Sequence, residues 1–380
     1  MHRAMTIIPS QRHLFDIPRE VAYFDCAKMS PLLSSAVAAG AEGLARKARP
    51  WDLNAGDFFD QSEAVRGLFG KLIGGSAEDV AIIPSVSYAL ATAAANVEVA
   101  AGQSIVILAE DFPSVALTCM DLARRTGARL VTVERPRDGN WTPALLAAIG
   151  DGTALVCCPH VHWVDGGMID LAAVGARCRN AGAALVLDTT QSLGALPLDL
   201  AGVDPDFMVA TSYKWLLGPY SLGFLYVASR RQQGRPIEQG WIARKGAHDF
   251  RRLVPYQEGY ETGARRYDMG ERSNFALLPV AAAAMTQLMD WGVADIAETL
   301  GAKTQRLSAR LAEIGMTALP LDWRGPHFLS VQFANGMPEG IGAKLAAANV
   351  HVSLRGDRMR ITPHLYNDEA DEERLIASLG

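Results

Sequence analysis

Short apolar runs alternate with alanine-rich stretches between residues 79 and 227. The apolar runs are rich in the aliphatic residues of buried strands, and the stretches between them have the composition of helices. In chain order the runs are DVAIIP, QSIVILAE, ARLVTVER, ALVCCPH, AALVLD, FMVATS and GFLYVAS. This alternation predicts an α/β fold in which a mostly parallel, seven-stranded sheet is covered by helices on both faces.

The character of the sequence changes after about residue 230. A Gly- and Arg-rich stretch, RRQQGRPIEQGWIARKG and then YETGARRYDMGERSN, is followed by the apolar helical segment ALLPVAAAAMTQLMDWG. Beyond it, KTQRLSARLAEIG is helix-like, while HFLSVQF and VHVSLRGDRMRITPH contain strand-like runs. We therefore predict a large domain over residues 1–255, with an N-terminal arm over residues 1–20, and a smaller α+β domain over residues 256–380.

The composition is that of a globular protein that acts on small molecules. Of the 380 residues, 49% are hydrophobic and 20% are charged, and the net charge is -5 with scattered arginines, so we expect no nucleic-acid partner. The chain lacks an apolar stretch of the ~20 residues that span a bilayer, and its N-terminus lacks a signal-peptide core. We expect a cytoplasmic protein without membrane contact. The five cysteines, without C-x-x-C spacing, predict neither disulfides nor a metal site.

A carboxylate and a lysine each follow a predicted strand. AALVLD ends at Asp188, and FMVATSYKW places Lys214 just after the next run. Because ligands bind at the carboxyl ends of parallel strands, we expect both side chains at one edge of the sheet. Pyridoxal 5'-phosphate (PLP) chemistry uses such a pair, since a lysine forms a Schiff base with the cofactor and a carboxylate keeps the pyridine nitrogen protonated. Taken alone the pair is weak evidence, because surface lysines and strand-end aspartates are common.

The segment LVLDTTQSLGALPLDLAGVDPDFMVATSYKWLLGPYSLGFLYV resembles the cofactor segment of the class V aminotransferases, which include cysteine desulfurases and kynureninases. The likeness rests on D-x-x-Q followed by S/T-x-x-K-x-x-x-G-P, and it extends from about Tyr23 to the carboxyl terminus. It implies PLP as the cofactor and the aspartate-aminotransferase-like architecture, PLP fold type I.

The resemblance also implies the cofactor contacts. Lys214 is the Schiff-base residue and the catalytic base, Asp188 pairs with the pyridine nitrogen, and Gln191 binds the phenolic oxygen. The other implied contacts are those of Val86, Ser87, Thr211 and Tyr213 with the phosphate and of Phe112 with the ring. Ser87 has the alternative role of a plain helix N-cap, and Phe112 that of a core residue.

Substrate contacts are implied for two further segments. In SLRGDRMRITPH, Arg360 resembles the arginine that binds the substrate α-carboxylate, and Arg355 lies in a second matching position. In CCPHVHWVDGG, His162 and Trp163 follow a strand and should face the cofactor or the substrate. An aromatic wall at Trp163 suits a bulky or apolar substrate side chain, and His162 is either an acid-base group or a structural histidine.

Two features depart from the desulfurases. The chain has no cysteine after Cys178, so the nucleophilic thiol of that reaction is missing. RRYDMGERSN resembles the stretch that reaches the partner's phosphate in a homodimer, but Glu271 stands where desulfurases have Thr. A carboxylate repels a phosphate, so we assign the cross-subunit contact to Asn274, or else to Arg272.

Three functions remain open from the sequence. The first is an aminotransferase that acts on a small amino-acid substrate through Lys214. The second is a lyase that expels a group from Cβ, as carbon-sulfur lyases and kynureninases do. The third is a PLP-binding protein without turnover. The same residues would serve the first two, so the sequence does not separate them.

Overall fold

A computed structural model describes residues 6–380, so the first five residues of the predicted arm lie outside the described residues. Its α-helices are α1 (Ser34–Arg46), α2 (Asp60–Ile73), α3 (Val86–Ala94), α4 (Pro113–Thr126), α5 (Trp141–Ala148), α6 (Leu171–Ala181), α7 (Leu200–Val203), α8 (Leu277–Trp291), α9 (Val293–Glu313), α10 (Ile341–Ala347) and α11 (Glu369–Leu379). Its β-strands are β1 (Ala22–Tyr23), β2 (Val80–Ile83), β3 (Ser104–Leu108), β4 (Arg129–Val133), β5 (Thr153–Pro159), β6 (Ala184–Asp188), β7 (Phe207–Thr211), β8 (Gly223–Val227), β9 (Met316–Ala318), β10 (Leu329–Phe333), β11 (Val350–His351), β12 (Ser353–Arg355) and β13 (Arg358–Ile361).

The predicted apolar runs form one central sheet. Within residues 6–380 this sheet has seven strands in the order β2-β8-β7-β6-β5-β3-β4. All pairs are parallel except those of β8, which runs antiparallel to β2 and β7. Every residue of β5 and β6 is buried, which explains their uninterrupted apolar sequences. The α/β prediction is confirmed, and the carboxyl ends of β3, β5, β6 and β7 meet at one edge.

Helix α8 is apolar because it packs inside the protein against α1 and α2. A Cβ atom on Gly43 of α1 would lie 1.9 Å from the carbonyl oxygen of Phe275, so the close approach of the two helices requires glycine there. The predicted domain boundary near residue 255 stays a prediction, since α8 follows it and yet contacts α1 and α2. Within residues 6–380 no single helix is long and apolar enough to cross a membrane. Helices α8 and α9 reach the required length and hydropathy only when they are counted together, and the pair is bent.

A second sheet forms the centre of the C-terminal part. In the described residues it has four antiparallel strands in the order β12-β13-β10-β9. Helix α9 contacts β9 and β10, and α11 packs against α9 and α10. Their apolar faces share a core with β10 and β13, which is the α+β arrangement that the sequence predicts.

Residues near the start of the chain connect the two parts. Strand β1 pairs in parallel with β11 near the other end of the chain. Just after β1, the Asp25 carboxylate accepts a hydrogen bond from Ser353 Oγ at 2.7 Å. The Ala27 carbonyl oxygen accepts one from Gln191 Nε2 at 3.0 Å. Residues 22–27 therefore join the C-terminal sheet to the edge of the central sheet.

Candidate active site

The carboxyl ends of β3, β5, β6 and β7 surround a narrow pocket. Its lining residues are Val86, Asp111, Phe112, Pro159, Val161, Trp163, Asp188, Thr190, Gln191, Tyr213 and Lys214. Most of the predicted cofactor contacts thus come together from segments that are far apart in the sequence. This is the place where parallel sheets bind ligands.

Lys214 is buried beside this pocket with little competing polar contact. It is 7% exposed, and its Nζ lies 5.6 Å from the ring centroids of Phe112 and Tyr213. Burial, opposed by the Asp188 charge and reinforced by that of Arg360, lowers the pKa of Lys214 to about 8. A lysine with this pKa is a neutral amine at mildly alkaline pH, so it can act as a nucleophile or a base.

Asp188 and Gln191 are oriented by their neighbours. Asp188 Oδ1 accepts the backbone N–H of Thr190 at 2.9 Å. Burial raises the pKa of Asp188, while the Thr190 hydrogen bonds and the Lys214 charge oppose this shift. Gln191 donates from Nε2 to the Ala27 carbonyl oxygen at 3.0 Å, and its Oε1 accepts from Trp215 Nε1 at 3.0 Å. The second Nε2 hydrogen remains for the predicted phenolic oxygen.

The start of α3 and the end of β7 offer donors for a phosphate. Ser85 is the N-cap of α3, since its Oγ accepts the Tyr88 N–H at 3.2 Å. The N-cap role considered for Ser87 thus belongs to Ser85, and Ser87 is exposed in the first turn next to Val86. Thr211 Oγ1 is buried and has no hydrogen-bond partner in the described residues. Free N–H groups and an unpartnered hydroxyl suit an anion.

Aromatic rings form the walls of the pocket. Phe112 and Trp163 meet edge to face with centroids 5.7 Å apart, and Trp163 Nε1 donates to the Glu110 carbonyl oxygen at 2.7 Å. On the other side, the Tyr213 ring lies 4.7 Å from that of Tyr220, which is exposed. Phe112 is therefore a pocket residue rather than a core residue alone.

Arg360 lies behind Trp163 with unused hydrogen-bonding capacity. It is 1% exposed, and its guanidinium carbon lies 5.8 Å from the Trp163 ring and 5.9 Å from the Phe328 ring. Nη1 donates to the Trp163 carbonyl oxygen at 2.8 Å, Nη2 lies 3.9 Å from Asp25 Oδ1, and Nε has no hydrogen-bond partner in residues 6–380. Burial, reinforced by Arg355, lowers the pKa of Arg360 to about 10, while Asp25 opposes the shift. Such a cation can still bind a carboxylate.

Arg355 shares a face of the C-terminal sheet with Arg360. Strand pairing sets Ser353 opposite Arg360 and Arg355 opposite Arg358, and directly opposed residues point to the same side. Arg355 is half-buried and donates to the Leu354 carbonyl oxygen at 2.7 Å, and neither Arg355 nor Arg360 is among the residues that line the pocket. The substrate contact of Arg355 stays a prediction.

His162 does not face the pocket. It is fully buried, with Nε2 3.1 Å from the Ala109 carbonyl oxygen and Nδ1 3.2 Å from Asp165 Oδ1. Its ring stacks on Trp141 with centroids 4.8 Å apart. Both ring nitrogens are engaged in this network, which favours the alternative of a structural histidine, and the contact of His162 with cofactor or substrate stays a prediction. Trp163, the next residue, does line the pocket.

Buried charges attach the segment before α8 to β2. Asp268 Oδ1 accepts the Ile82 N–H at 2.8 Å, and Oδ2 accepts a hydrogen bond from the Arg66 guanidinium. Arg272 Nε lies 3.0 Å from the same Oδ2. These three charged side chains, Arg66, Asp268 and Arg272, are all buried. We call them the Asp268 cluster.

The two candidates for the cross-subunit contact differ in availability. Arg272 is held inside its own chain by the Asp268 cluster and lies over the Phe59 ring. Asn274 Oδ1 accepts the N–H groups of Ala276 and Leu277, so the oxygen caps the start of α8. The Asn274 amide nitrogen is the group left for a partner's phosphate, and this contact stays a prediction.

Asp111 is a pocket residue that sequence reasoning missed. It is buried, its Oδ1 accepts the Phe112 N–H at 2.6 Å, and its Oδ2 has no partner among residues 6–380. Burial, opposed by His162 and the Phe112 N–H and reinforced by Asp188, raises the pKa of Asp111 to about 7. Asp111 follows the strand QSIVILAE, so the strand-end argument that identified Asp188 would have found it.

The residues present fit PLP and not a metal. A buried amine, a buried carboxylate, an aromatic wall and an unpartnered Thr211 hydroxyl near a helix start match the aldehyde, pyridine nitrogen, ring and phosphate of PLP. Within the described residues, no group of three or more His, Cys, Asp or Glu side chains is placed to hold a metal ion.

Comparisons with known proteins agree with this geometry. The family described as Aminotransferase class-V matches residues 42–367. An uncharacterized aminotransferase of Bacillus subtilis (strain 168) is 28% identical over 324 residues, which are 84% of each chain. The kynureninase of Deinococcus radiodurans is 28% identical over 285 residues, 72% of this chain and 67% of that protein.

A solved structure has the same fold. A C-DES mutant with glycine covalently linked to its PLP cofactor has a TM-score of 0.84 over 97% of this chain and 98% of its own, at 20% sequence identity. At that identity the likeness shows the fold, which is that of the PLP fold type I enzymes. The chain belongs to the class V aminotransferase family of PLP-dependent enzymes, and its cofactor is pyridoxal 5'-phosphate.

Proposed function

We propose that this protein is an aminotransferase that acts on an α-amino acid. The observation that carries the proposal is the buried Lys214 amine, which shares a pocket with Asp188 and lies near Arg360, whose Nε has no partner in the described residues. A relative that matches along 84% of both chains is called an aminotransferase, which supports the same reaction.

The residues of the pocket supply binding and proton transfer. Bound PLP provides the electron sink for negative charge at the substrate Cα. Lys214 Nζ, as a neutral amine, removes the Cα proton and holds it for return. Asp188 keeps a negative charge at the end of β6 for the pyridine nitrogen. Arg360 binds the substrate carboxylate, and the Phe112 and Trp163 rings shield the reacting atoms from water.

The second candidate is a Cβ lyase, which the kynureninase relative favours. A desulfurase route is less well supported, because all five cysteines are buried. Cys26 lies beside the site, with Sγ 3.9 Å from the Lys214 carbonyl oxygen. Burial raises the pKa of this thiol far above its ordinary value, so it is a poor nucleophile.

Product analysis separates the candidates. The purified holoenzyme is incubated with a panel of amino acids, with and without a 2-oxo acid acceptor. An aminotransferase forms a keto acid from the donor and an amino acid from the acceptor in equal amounts. A lyase releases ammonia or the Cβ group without an acceptor. A protein that gives neither product is a PLP-binding protein without turnover.

A covalent label tests the role of Lys214. Borohydride reduction of the holoenzyme should remove its visible absorption and fix the cofactor on the peptide that contains Lys214. Lys214→Ala should retain weak PLP binding and lose turnover, whereas replacement of the exposed Lys245 by Ala should change neither. A label on another lysine would contradict the assignment.

We further propose a cytoplasmic homodimer. Support comes from large apolar side chains that are exposed in the single chain, among them Trp241 and Phe250 in one aromatic cluster and Tyr256, which is 94% exposed. A fully active monomer at micromolar concentration in sedimentation would contradict the dimer. The location remains a proposal from the composition of the chain.

A further inference from the structure

We propose that Asp111 is a second carboxyl group of the PLP pocket, which stays neutral while Asp188 is charged, so that the pocket presents one negative charge to the cofactor ring. Asp111 is in this view a positioning residue, since it acts by setting the charge around the ring. The inference depends on PLP binding and not on the reaction proposed above.

The placement of Asp111 carries the inference. It follows β3, lines the same pocket as Asp188 and is 7% exposed. Its Oδ1 accepts the N–H of Phe112, whose ring lies beside Lys214 Nζ. Its Oδ2 is buried without a partner in the part of the chain that the structure describes. A buried, ionised oxygen without a donor is costly, whereas a protonated Oδ2 can donate into the pocket.

The groups around Asp111 favour the neutral form. Asp188, at the end of β6, raises the pKa of Asp111 by the repulsion of like charges. The buried His162, in the segment after β5, lowers the pKa of Asp111. Lys214, after β7, lines the same pocket. Glu110, the preceding residue, has an exposed side chain that pairs with Arg135 at 2.6 Å. Burial and Asp188 together raise the pKa of Asp111 to about 7.

Two carboxyl groups in one desolvated pocket titrate as a pair. The first ionises readily, and its charge delays the second. Each carboxyl accepts one backbone N–H, but the Thr190 side chain and the Lys214 charge also favour ionised Asp188, whereas Asp111 Oδ2 has no partner in the described residues. Asp188 is therefore the charged member and Asp111 retains the proton. When Asp111 ionises, the additional charge should alter the absorption of the bound cofactor.

Infrared and visible spectroscopy test both halves of this inference. In holoenzyme with isotope-labelled aspartate, a protonated carboxyl band should disappear with a midpoint near pH 7, and the visible cofactor band should change with the same midpoint. Asp111→Asn keeps the oxygen that accepts the Phe112 N–H, yet it should lose both transitions. Glu110→Gln is the matched control, because it removes a negative charge from the exposed residue next to Asp111. This variant should keep both the infrared and the visible transition.

Several outcomes would overturn the inference. A wild-type holoenzyme without a protonated aspartate at pH 6 shows that Asp111 is ionised. A carboxyl band that titrates without any change in the visible spectrum shows that its charge does not reach the ring. If Asp111→Asn does not retain PLP, these wild-type measurements still decide. A protein that binds PLP but forms no keto acid contradicts the proposed function and leaves this test intact.

Discussion

Replacement of Asp268 by Asn tests the energetic importance of the Asp268 cluster. In the native chain one buried carboxylate serves two buried guanidinium groups, those of Arg66 and Arg272. Asparagine has nearly the same shape and retains an oxygen for the Ile82 N–H. The change therefore removes a charge and leaves two buried cations without their carboxylate.

The expected loss follows from this geometry. Removing one partner of a buried ion pair costs about 3–5 kcal/mol, because the remaining charge is left uncompensated. Glu63 still contacts Arg66 Nε at 3.1 Å, which places the estimate near the lower end of that range. A loss of about 3 kcal/mol is a large part of a typical stability of about 5–15 kcal/mol. It lowers the folding equilibrium constant by a factor of roughly 100.

Urea unfolding at saturating PLP and fixed protein concentration measures this loss. Asp204→Asn is the matched control, because the Asp204 side chain is 42% exposed, pairs with Arg230 at 2.7 Å and has a φ of 51° that Asn tolerates. It should change the free energy of unfolding by less than about 0.5 kcal/mol. Adding Arg66→Met to Asp268→Asn should restore part of the stability, since one uncompensated cation is removed.

A small effect would refute the reasoning. If Asp268→Asn lowered the free energy of unfolding by less than about 1 kcal/mol, the two guanidinium groups would have to be solvated or paired elsewhere. If the double variant were less stable than Asp268→Asn by the full cost of the Arg66 change, the two side chains would act independently.

Three further predictions concern the site and its surroundings. Burial lowers the pKa of Lys214 to about 8. The rate at which the apoenzyme captures PLP should therefore rise with pH around a midpoint near 8, which visible absorption can follow. A capture rate that does not depend on pH would contradict this. Arg360→Lys should keep the visible spectrum and lower kcat/KM by about 100-fold, while Arg358→Lys should have little effect; full activity of Arg360→Lys would point to Arg355 instead. Burial lowers the pKa values of His327 and His364 to about 3, below the unfolded value of about 6.5. The stability that each contributes is therefore fully present above about pH 6.5 and is lost toward pH 3, by at most about 1.4 kcal/mol per pH unit, and His364→Gln should flatten this acid-side slope in urea unfolding.

The sheet and most of its edge could be predicted because both depend on local patterns. The residues of β5 and β6 are all buried, so their sequences are continuous apolar runs. Once these strands are parallel, residues that follow them, such as Asp188 and Lys214, must lie at one edge. The same reasoning applies to Asp111, which follows the run QSIVILAE.

The direction of single side chains and long-range pairs could not be predicted. His162 and Trp163 are adjacent, yet Trp163 lines the pocket while His162 stacks on Trp141 in the interior. Nothing in CCPHVHWVDGG distinguishes the two orientations. Arg66 and Asp268 are 202 positions apart in the sequence, and neither has a local signal that identifies the other as its partner.

The connection that residues 22–27 make has a consequence for how the protein is synthesised. Gln191 is oriented by the Ala27 carbonyl oxygen, and the neighbouring Asp25 meets Ser353 and Arg360. Strand β1 can take its place only against β11, which is translated after every strand of the central sheet. The central sheet can assemble earlier, because all its strands end before residue 228. During translation, therefore, a nascent chain can hold a formed central sheet while the segment that orients Gln191 is still without its partner strand β11.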